Sequence, residues 1–188
     1  MKTNHTEVLL NFKKAWLDTN LISYLDQSSK IILAFSGGLD SSVLIDSFLY
    51  FMEKQDIKNY KDKILLCHVN HNLSKFADSW VKHCKAQADK WGVSLVIENI
   101  KDTNFNGDGL ELWARKARYN IFNNHIEAAD ILLTGHHMDD QAETFLLQCL
   151  RGAGVSGMRA MPKVKAFGDG FLLRPLLDLS KEDFEKWA

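Results

Sequence analysis

Hydrophobic and polar positions along this chain form two kinds of segment that alternate. Short, continuously apolar runs predict buried β-strands, and longer runs with a 3.6-residue apolar period predict amphipathic helices. The predicted strands are residues 31–35, 64–69, 94–97 and 131–134. The predicted helices are residues 7–17, 42–54, 74–91, 110–127 and 138–150. After the first helix, the chain therefore contains successive strand–helix units.

This alternation is typical of a parallel sheet with helices on both faces. We predict an α/β, Rossmann-like fold in one domain over residues 1–188, with a core of about residues 25–178. Right-handed crossovers, and ligand binding at the carboxyl ends of the strands, would bring Ser36, His68 and His136 to one crevice.

Residues 180–188 resemble the beginning of a helix. Ser180 is a preferred N-cap, acidic residues follow it, and Phe184 and Trp187 begin an apolar face. Because a helix of about two turns is marginal by itself, we expect this segment to lead into domains that the chain does not contain.

A glycine turn joins the first predicted strand to its helix. Gly37 and Gly38 have no Cβ, so the backbone can adopt unusual dihedrals and approach a ligand closely. The first N–H groups of the following helix have no internal partner and, with the helix dipole, favour a phosphate. The alternative is a plain turn capped by Ser41. The candidate ATP-binding residues are Ser36, Gly37, Gly38, Leu39, Asp40 and Ser41.

Asp40 distinguishes this loop from the Walker-type phosphate loop, which ends in Gly-Lys-Ser or Gly-Lys-Thr. A carboxylate inside an anion site repels the ligand unless a divalent cation lies between them. Asp40 therefore predicts Mg²⁺, bound directly or through water, as a companion of the phosphate.

A second polar cluster follows the fourth predicted strand. His136, Asp140 and Glu143 are spaced i, i+4 and i+7, so they share one face if the helix begins at His136. Such a cluster can bind a metal, or hold a charged nucleophile and remove its proton. The structural alternative is that the acids stabilise a helix N-terminus and that the histidines, His137 included, are solvated caps.

Further candidates lie on neighbouring segments. His68 and His71 end the second strand, either as cavity side chains or as polar loop residues. Glu111, Arg115 and Arg118 share a helix face, either flanking a triphosphate or forming an exposed ion-pair row. The region after the last predicted helix is the most basic, and it is either an RNA-contacting loop or a linker. Its cations are Arg151, Arg159, Lys163, Lys165 and Arg174.

Composition narrows the partners and the compartment. A net charge of −1 gives no global basic field, so a polyanionic partner would need a local patch or a second domain. Cys67, Cys84 and Cys149 lie singly in apolar stretches, which predicts reduced core thiols in a cytoplasmic protein. We find neither an apolar run near 18 residues nor a basic-then-apolar leader, so we predict no membrane span and no secretory signal.

Taken in chain order, these segments resemble one branch of the PP-loop ATP pyrophosphatases, the catalytic domain of the tRNA(Ile)-lysidine synthetases. The resemblance runs from about residue 30 to the end. The segments that carry it are residues 36–41, 68–73, 114–119 together with Glu111, 134–144, 151–154 and 174–177. One departure is Ser74, where many relatives have arginine. The other is the absence of the C-terminal domains that family members usually carry.

The resemblance implies an adenine nucleotide α hydrolase-like fold and a two-step ligation that uses ATP and Mg²⁺. ATP would adenylate the C2 carbonyl of the wobble cytidine in the CAU anticodon of tRNA(Ile), releasing pyrophosphate. The ε-amine of free L-lysine would then displace AMP, and the lysidine formed would pair with adenine, so that AUA rather than AUG is decoded.

The resemblance also implies residue roles. The implied catalytic residues are Asp40, Arg115, His136 and Asp140. Among them, Arg115 would contact the phosphates or the activated base, whereas His136 and Asp140 would receive lysine and help to remove its proton. The remaining candidates for contact with lysine or tRNA are His68, His71, Glu111, Arg118, His137, Glu143, Arg151 and Arg174.

Other functions stay open at this point. A tRNA 2-thiocytidine-type thiolase would activate the same carbonyl, but it calls for paired cysteines that this chain does not offer. A metal-dependent phosphohydrolase would use the His/Asp/Glu cluster as a two-metal site. A nucleotide sensor would bind ATP without turnover. The oligomeric state, a homodimer included, is also open.

Overall fold

The fold is described from a computed structural model that covers residues 5–71, 77–100, 109–152 and 160–188. The helices are α1 (His5–Asp18), α2 (Leu21–Leu25), α3 (Leu39–Lys54), α4 (Ala77–Trp91), α5 (Leu110–His125), α6 (Met138–Leu150) and α7 (Lys181–Trp187). The strands are β1 (Ile31–Ala34), β2 (Ile64–Asn70), β3 (Ser94–Asn99), β4 (Ile131–Leu133), β5 (Val164–Phe167) and β6 (Gly170–Leu173). Ser74, Arg159 and the predicted loop at 153–157 lie outside the described residues.

The described strands form one sheet in the order β3-β2-β1-β4-β6-β5. All neighbouring pairs are parallel except β5, which runs antiparallel to β6. The predicted α/β fold with a mostly parallel sheet is therefore confirmed. The chain proceeds from β1 to β2 on one side and later returns to β4 on the other. The strand order thus reverses beside β1, the position at which such sheets bind ligands.

The hairpin of β5 and β6 is an element that the hydrophobic pattern did not predict. Each strand has only four residues, and Lys165 and Ala166 in the edge strand are exposed. Two exposed positions in four leave no period to detect. Gly168 has φ +55° in the connecting turn, a conformation that favours glycine.

Alternate residues of β1 contact two different hydrophobic clusters, as the pleat of a strand requires. Ile31 and Leu33 belong to a cluster that includes α1, α3 and α7. Ile32 belongs to a second cluster with Trp113 and Phe122 of α5. Helices therefore cover both faces of the sheet.

Helix α7 packs on the first of these clusters. Phe184 is fully buried, and the Trp187 ring lies 4.3 Å from that of Phe12. Ser180 caps the helix, as predicted, and accepts a hydrogen bond from the Asp183 N–H. The core of this structure consequently includes residues on both sides of the 25–178 range.

The cysteines divide into two groups. Cys67 and Cys84 are buried, as expected of small core residues. Cys149 is exposed, so the prediction of a core thiol is wrong there, because α6 contributes no buried residue. No helix in the described ranges has both the length and the apolarity that crossing a membrane requires.

Candidate active site

A cavity of about 720 Å³ lies at the carboxyl ends of β1, β2 and β4. It brings together residues that are far apart in the sequence. The sequence-predicted site residues that line it are Ser36, Asp40, Ser41, His68, His71, Glu111, Arg115, Arg118, His136, Asp140 and Glu143. The remaining candidates outside the loop, His137, Arg151 and Arg174, are not among the lining residues.

Within the candidate phosphate loop, serine hydroxyl groups form hydrogen bonds with the loop's own backbone. Gly37 has φ +85°, and a Cβ there would lie 2.9 Å from Cys84 Sγ, so both conformation and space require glycine. The Gly38 N–H donates to Ser36 Oγ at 3.2 Å, and Ser41 Oγ donates to Gly38 O at 3.0 Å. The cap of α3 is Gly38 rather than Ser41, so the predicted alternative of a Ser41 cap is wrong.

Asp40 lies in the first turn of α3 and is paired with Lys181, with a histidine nearby. Its Oδ1 is 2.5 Å from Lys181 Nζ, and its Oδ2 is 3.8 Å from His137 Nε2. The Asp40 side chain is 41% exposed, so solvent or a ligand can reach it. A half-exposed carboxylate that already attracts a cation is the kind of oxygen donor that fits Mg²⁺, with phosphate oxygens and waters completing the shell.

The cluster after β4 differs from its predicted arrangement. Helix α6 begins at Met138, so His136 precedes the helix and does not share a helical face with Asp140 and Glu143. All three nevertheless line the cavity. The predicted start of this helix at Met138 is confirmed. The condition for one shared face, a helix that begins at His136, is not met, because Asp140 Oδ2 accepts the backbone N–H of His137 at 2.8 Å, which makes His137 the N-cap.

His136 is held neutral by its surroundings. Its Nδ1 lies 2.8 Å from Thr134 Oγ1. Burial first, and then the charge of Arg174, lower the pKa of His136 to about 4, against an opposing effect of Asp140. A neutral imidazole keeps one nitrogen free to accept a proton or a hydrogen bond.

Cationic side chains of α5 line the same cavity as the phosphate loop. Arg115 and Arg118 of α5 line the cavity, and Arg115 lies over the Tyr119 ring at 5.2 Å. Burial lowers the pKa of Arg118, and Arg115 contributes to this effect. Arg174 is buried, and its Nη1 donates to Pro162 O at 2.9 Å. Its Nε has no hydrogen-bond partner among the described residues. This concentration of positive charge favours a polyanionic ligand.

The two histidines at the end of β2 differ in their hydrogen bonds. His68 is buried, and its Nδ1–H donates to Phe35 O at 2.9 Å, which ties β2 to the start of the phosphate loop. In the part of the chain that the structure describes, the buried Nδ1 of His71 has no hydrogen-bond partner, and burial lowers the pKa of His71. Arg151 is exposed just after the end of α6.

Lys181 is the site residue that sequence reasoning missed. It stands 141 positions after Asp40, and the only local signal around it is a helix N-terminus. No periodicity or motif could have linked it to the loop, because the contact depends on how α7 docks.

The histidines and acids do not form an evident metal cluster. In the parts of the chain that the structure describes, no three His, Cys, Asp or Glu side chains are grouped as metal ligands. This finding gives no support to the two-metal hydrolase alternative.

Comparison with known proteins agrees with this geometry. Residues 5–188 match the PP-loop domain. The chain is 39% identical over 172 residues to the tRNA(Ile)-lysidine synthase of Photorhabdus laumondii, and 42% identical over 173 residues to that of Salmonella heidelberg. Each match covers 92% of this chain and 38% of the relative, so the chain spans well under half the length of these curated relatives.

Solved structures with low sequence identity share the fold. One is the U34-tRNA thiolase NcsA from Methanococcus maripaludis, with a TM-score of 0.71 and 16% identity, covering 97% of this chain and 61% of that one. Another is the FMN adenylyltransferase of Candida glabrata, with a TM-score of 0.58 and 12% identity, covering 96% and 55%. With the phosphate loop in place and residues 5–188 matched to the PP-loop domain, this chain belongs to the PP-loop family.

Proposed function

We propose that this chain is the catalytic domain of a tRNA(Ile)-lysidine synthase, which uses ATP to join lysine to C2 of the wobble cytidine in a CAU anticodon. The observation that carries the proposal is one cavity lined by a phosphate loop, two arginines and a His/Asp/Glu group. The 39–42% identity to curated synthases of that name supports the same choice.

The first proposed step is adenylation. The C2 carbonyl oxygen of cytidine attacks the α-phosphorus of ATP, the bond from that phosphorus to the bridging oxygen breaks, and its electron pair leaves with pyrophosphate. The N–H groups at the start of α3 suit the phosphates. Mg²⁺ held by Asp40 would neutralise charge on the leaving group. Arg115 and Arg118, which line the same cavity, suit the same task.

The second proposed step is transfer to lysine. The lysine nitrogen attacks C2, and the C2–O bond breaks so that AMP leaves with the electron pair. Lysine is mostly protonated at neutral pH and must lose a proton before it can attack. Glu143 and Asp140 suit the ammonium group. Asp140 already accepts the His137 N–H, so Glu143 is the freer carboxylate.

ATP binding would make His136 a stronger base for removing that proton. With the cavity empty of anions, burial and neighbouring arginines depress its pKa to about 4, which makes it a weak base. An anionic triphosphate beside those arginines offsets their charge and raises the pKa of His136 toward its ordinary value. ATP that binds before lysine would thereby increase the basicity of His136.

The buried cysteines argue against sulfur transfer. Burial raises the pKa of Cys67 to about 12 and that of Cys84 to about 11, so neither is a thiolate at neutral pH. Cys149 is exposed on α6, and all three cysteines are free thiols. A cytoplasmic location, a homodimeric state and domains beyond residues 1–188 remain predictions.

The test is an incubation with ATP, Mg²⁺ and unmodified tRNA(Ile) bearing a CAU anticodon, with and without radiolabelled lysine. We expect AMP and labelled tRNA in equal amounts, with no label when ATP or tRNA is omitted. Release of ADP, or AMP release that needs neither tRNA nor lysine, would contradict the ligase and indicate a hydrolase. ATP binding without any turnover would indicate a sensor.

A further inference from the structure

The pairing of Asp40 with Lys181 joins the phosphate loop to a helix far along the chain. Lys181 is the first residue of α7, and its Nζ lies 2.5 Å from Asp40 Oδ1. A second bond joins the same two helices, because Trp187 Nε1 donates to Asp46 Oδ2 of α3 at 3.0 Å. The position of Lys181 over the loop is therefore fixed from two places.

The packing of α7 holds the backbone of Lys181 while leaving its side chain accessible. Phe184 is fully buried, and Ser180, the residue before Lys181, forms a capping box with Asp183. The Lys181 side chain is 39% exposed, and its four-carbon stem allows the ammonium group to move several ångströms. The backbone is fixed and the charge is mobile.

A Walker-type loop carries its own lysine, which contacts the β- and γ-phosphates. This loop has Asp40 and no lysine, yet the fold supplies an ammonium group from Lys181 at that carboxylate. The chain thus gains in three dimensions a cation that the loop sequence lacks.

We propose that Lys181 is a further phosphate-binding residue, which neutralises Asp40 in the absence of nucleotide and contacts the β,γ-phosphates when Asp40 holds a divalent cation. The proposed role of Lys181 rests on the proposed function only because it takes ATP as the ligand. When pyrophosphate leaves, the electron pair of the broken bond stays on its oxygen, and the ammonium group offsets that charge without giving up a proton.

Lys186 provides a matched control on the same helix. Lys186 lies five positions after Lys181, and its Nζ pairs with Glu182 Oε1 at 2.7 Å. An exposed i,i+4 pair of this kind adds little to the stability of a helix. Lys186→Ala removes the same charge from α7 without touching Asp40.

The experiment measures binding by calorimetry, with Mg²⁺ present, of ATP, inorganic pyrophosphate and AMP to the wild type, Lys181→Ala and Lys186→Ala. We expect Lys181→Ala to weaken ATP and pyrophosphate about tenfold, the loss of one charged contact, and to change AMP less than twofold. Lys186→Ala should change all three less than twofold. Equal losses for ATP and AMP, or unchanged pyrophosphate affinity, would overturn the proposal and leave Lys181 as a structural contact.

Two further variants guard against a change in folding. Lys181→Gln keeps most of the stem and should behave as Lys181→Ala does, at an unchanged thermal midpoint. Lys181→Arg keeps the charge and should retain ATP affinity within about threefold; a loss as large as that of Lys181→Ala would overturn the role of charge. Because these assays need neither tRNA nor lysine, they remain decisive even if the ligation proposal fails. A wild type that does not bind pyrophosphate would overturn this inference.

Discussion

Helices α3 and α6 begin at the same cavity but contribute very differently to the fold. Each follows a parallel strand of the sheet, and each has an acidic residue in its first turn, Asp40 and Asp140 respectively. Nine residues of α3 are buried, whereas none of α6 is. Along α6, Phe145 is 45% exposed and Leu150 is 85% exposed. Equivalent positions in a repeating fold therefore do not imply equivalent packing.

The α3 side of the cavity is therefore fixed by buried residues, whereas the α6 side is held by a few polar bonds. On α6, the Gln141 amide donates to Met161 O at 2.9 Å and accepts the Met161 N–H at 2.7 Å. Met138 N donates to Leu179 O at 2.8 Å. The proposed phosphate site thus rests on buried apolar contacts, whereas the proposed lysine site depends on side-chain and backbone hydrogen bonds.

The largest expected effects come from the carboxylates of the two sides. Asp40→Asn should lower tRNA-dependent pyrophosphate release about 10³-fold, since the proposed metal and phosphate contacts fail together. Glu143→Gln should leave that release within about threefold and raise the KM for lysine about tenfold, because one charged contact is lost. Rapid-quench assays with and without lysine separate the steps. Equal loss of pyrophosphate release in both variants would contradict the division into two sides.

Stability should show the same contrast. Phe48→Ala in α3 removes a fully buried ring and should cost about 3–5 kcal/mol of unfolding free energy. Phe145→Ala in α6 removes a half-exposed ring and should change it by less than about 0.5 kcal/mol. Urea unfolding measures both. A cost at Phe145 close to that at Phe48 would mean that something covers α6 in solution.

The two sides also touch through backbone. A Cβ added at Gly135 would lie 2.8 Å from Asp40 O, in the first turn of α3. Gly135→Ala should therefore cost about 1–3 kcal/mol and weaken ATP binding. Gly109→Ala is the control, since no described residue lies within 4 Å of a Cβ there. Calorimetry and urea unfolding of the pair test this coupling; an unchanged Gly135→Ala protein would sink it.

Loss of the Gln141 bonds should loosen only α6. Gln141→Ala leaves the Met161 backbone without its partner, at a cost of about 1–2 kcal/mol confined to that region. Hydrogen exchange should then quicken in α6 and stay unchanged in α3. Faster exchange in both helices would show that they open as one unit.

The most gradual of the expected effects is a dependence of stability on pH, spread over the range between pH 6.5 and about 4. The pKa of His136 is about 4 in the folded chain, below the ordinary value of 6.5, so between those values the unfolded chain binds more protons. Unfolding free energy should therefore fall as pH falls from 6.5 toward 4. His136→Asn should show a shallower fall in urea titrations. Identical slopes for the two proteins would contradict a depressed pKa.

Much of the phosphate side could be predicted from the sequence. Strand β1, the Gly37–Gly38 turn and α3 are contiguous, so local periodicity and turn chemistry determine them. The other side depends on long-range contacts. Whether His136 lies inside α6 was decided by the hydrogen bond to Asp140, and the partner of Asp40 was decided by the docking of Phe184. Sequence patterns carry no information on such pairs.

The most direct test of the account is the mass of the wobble nucleoside after tRNA(Ile) with a CAU anticodon has been incubated with the chain, ATP, Mg²⁺ and lysine. Digestion to nucleosides followed by mass spectrometry should find cytidine increased by the mass of lysine less one water, and only when ATP is present. Unmodified cytidine, with ATP converted to ADP or consumed without tRNA, would contradict the proposed ligation.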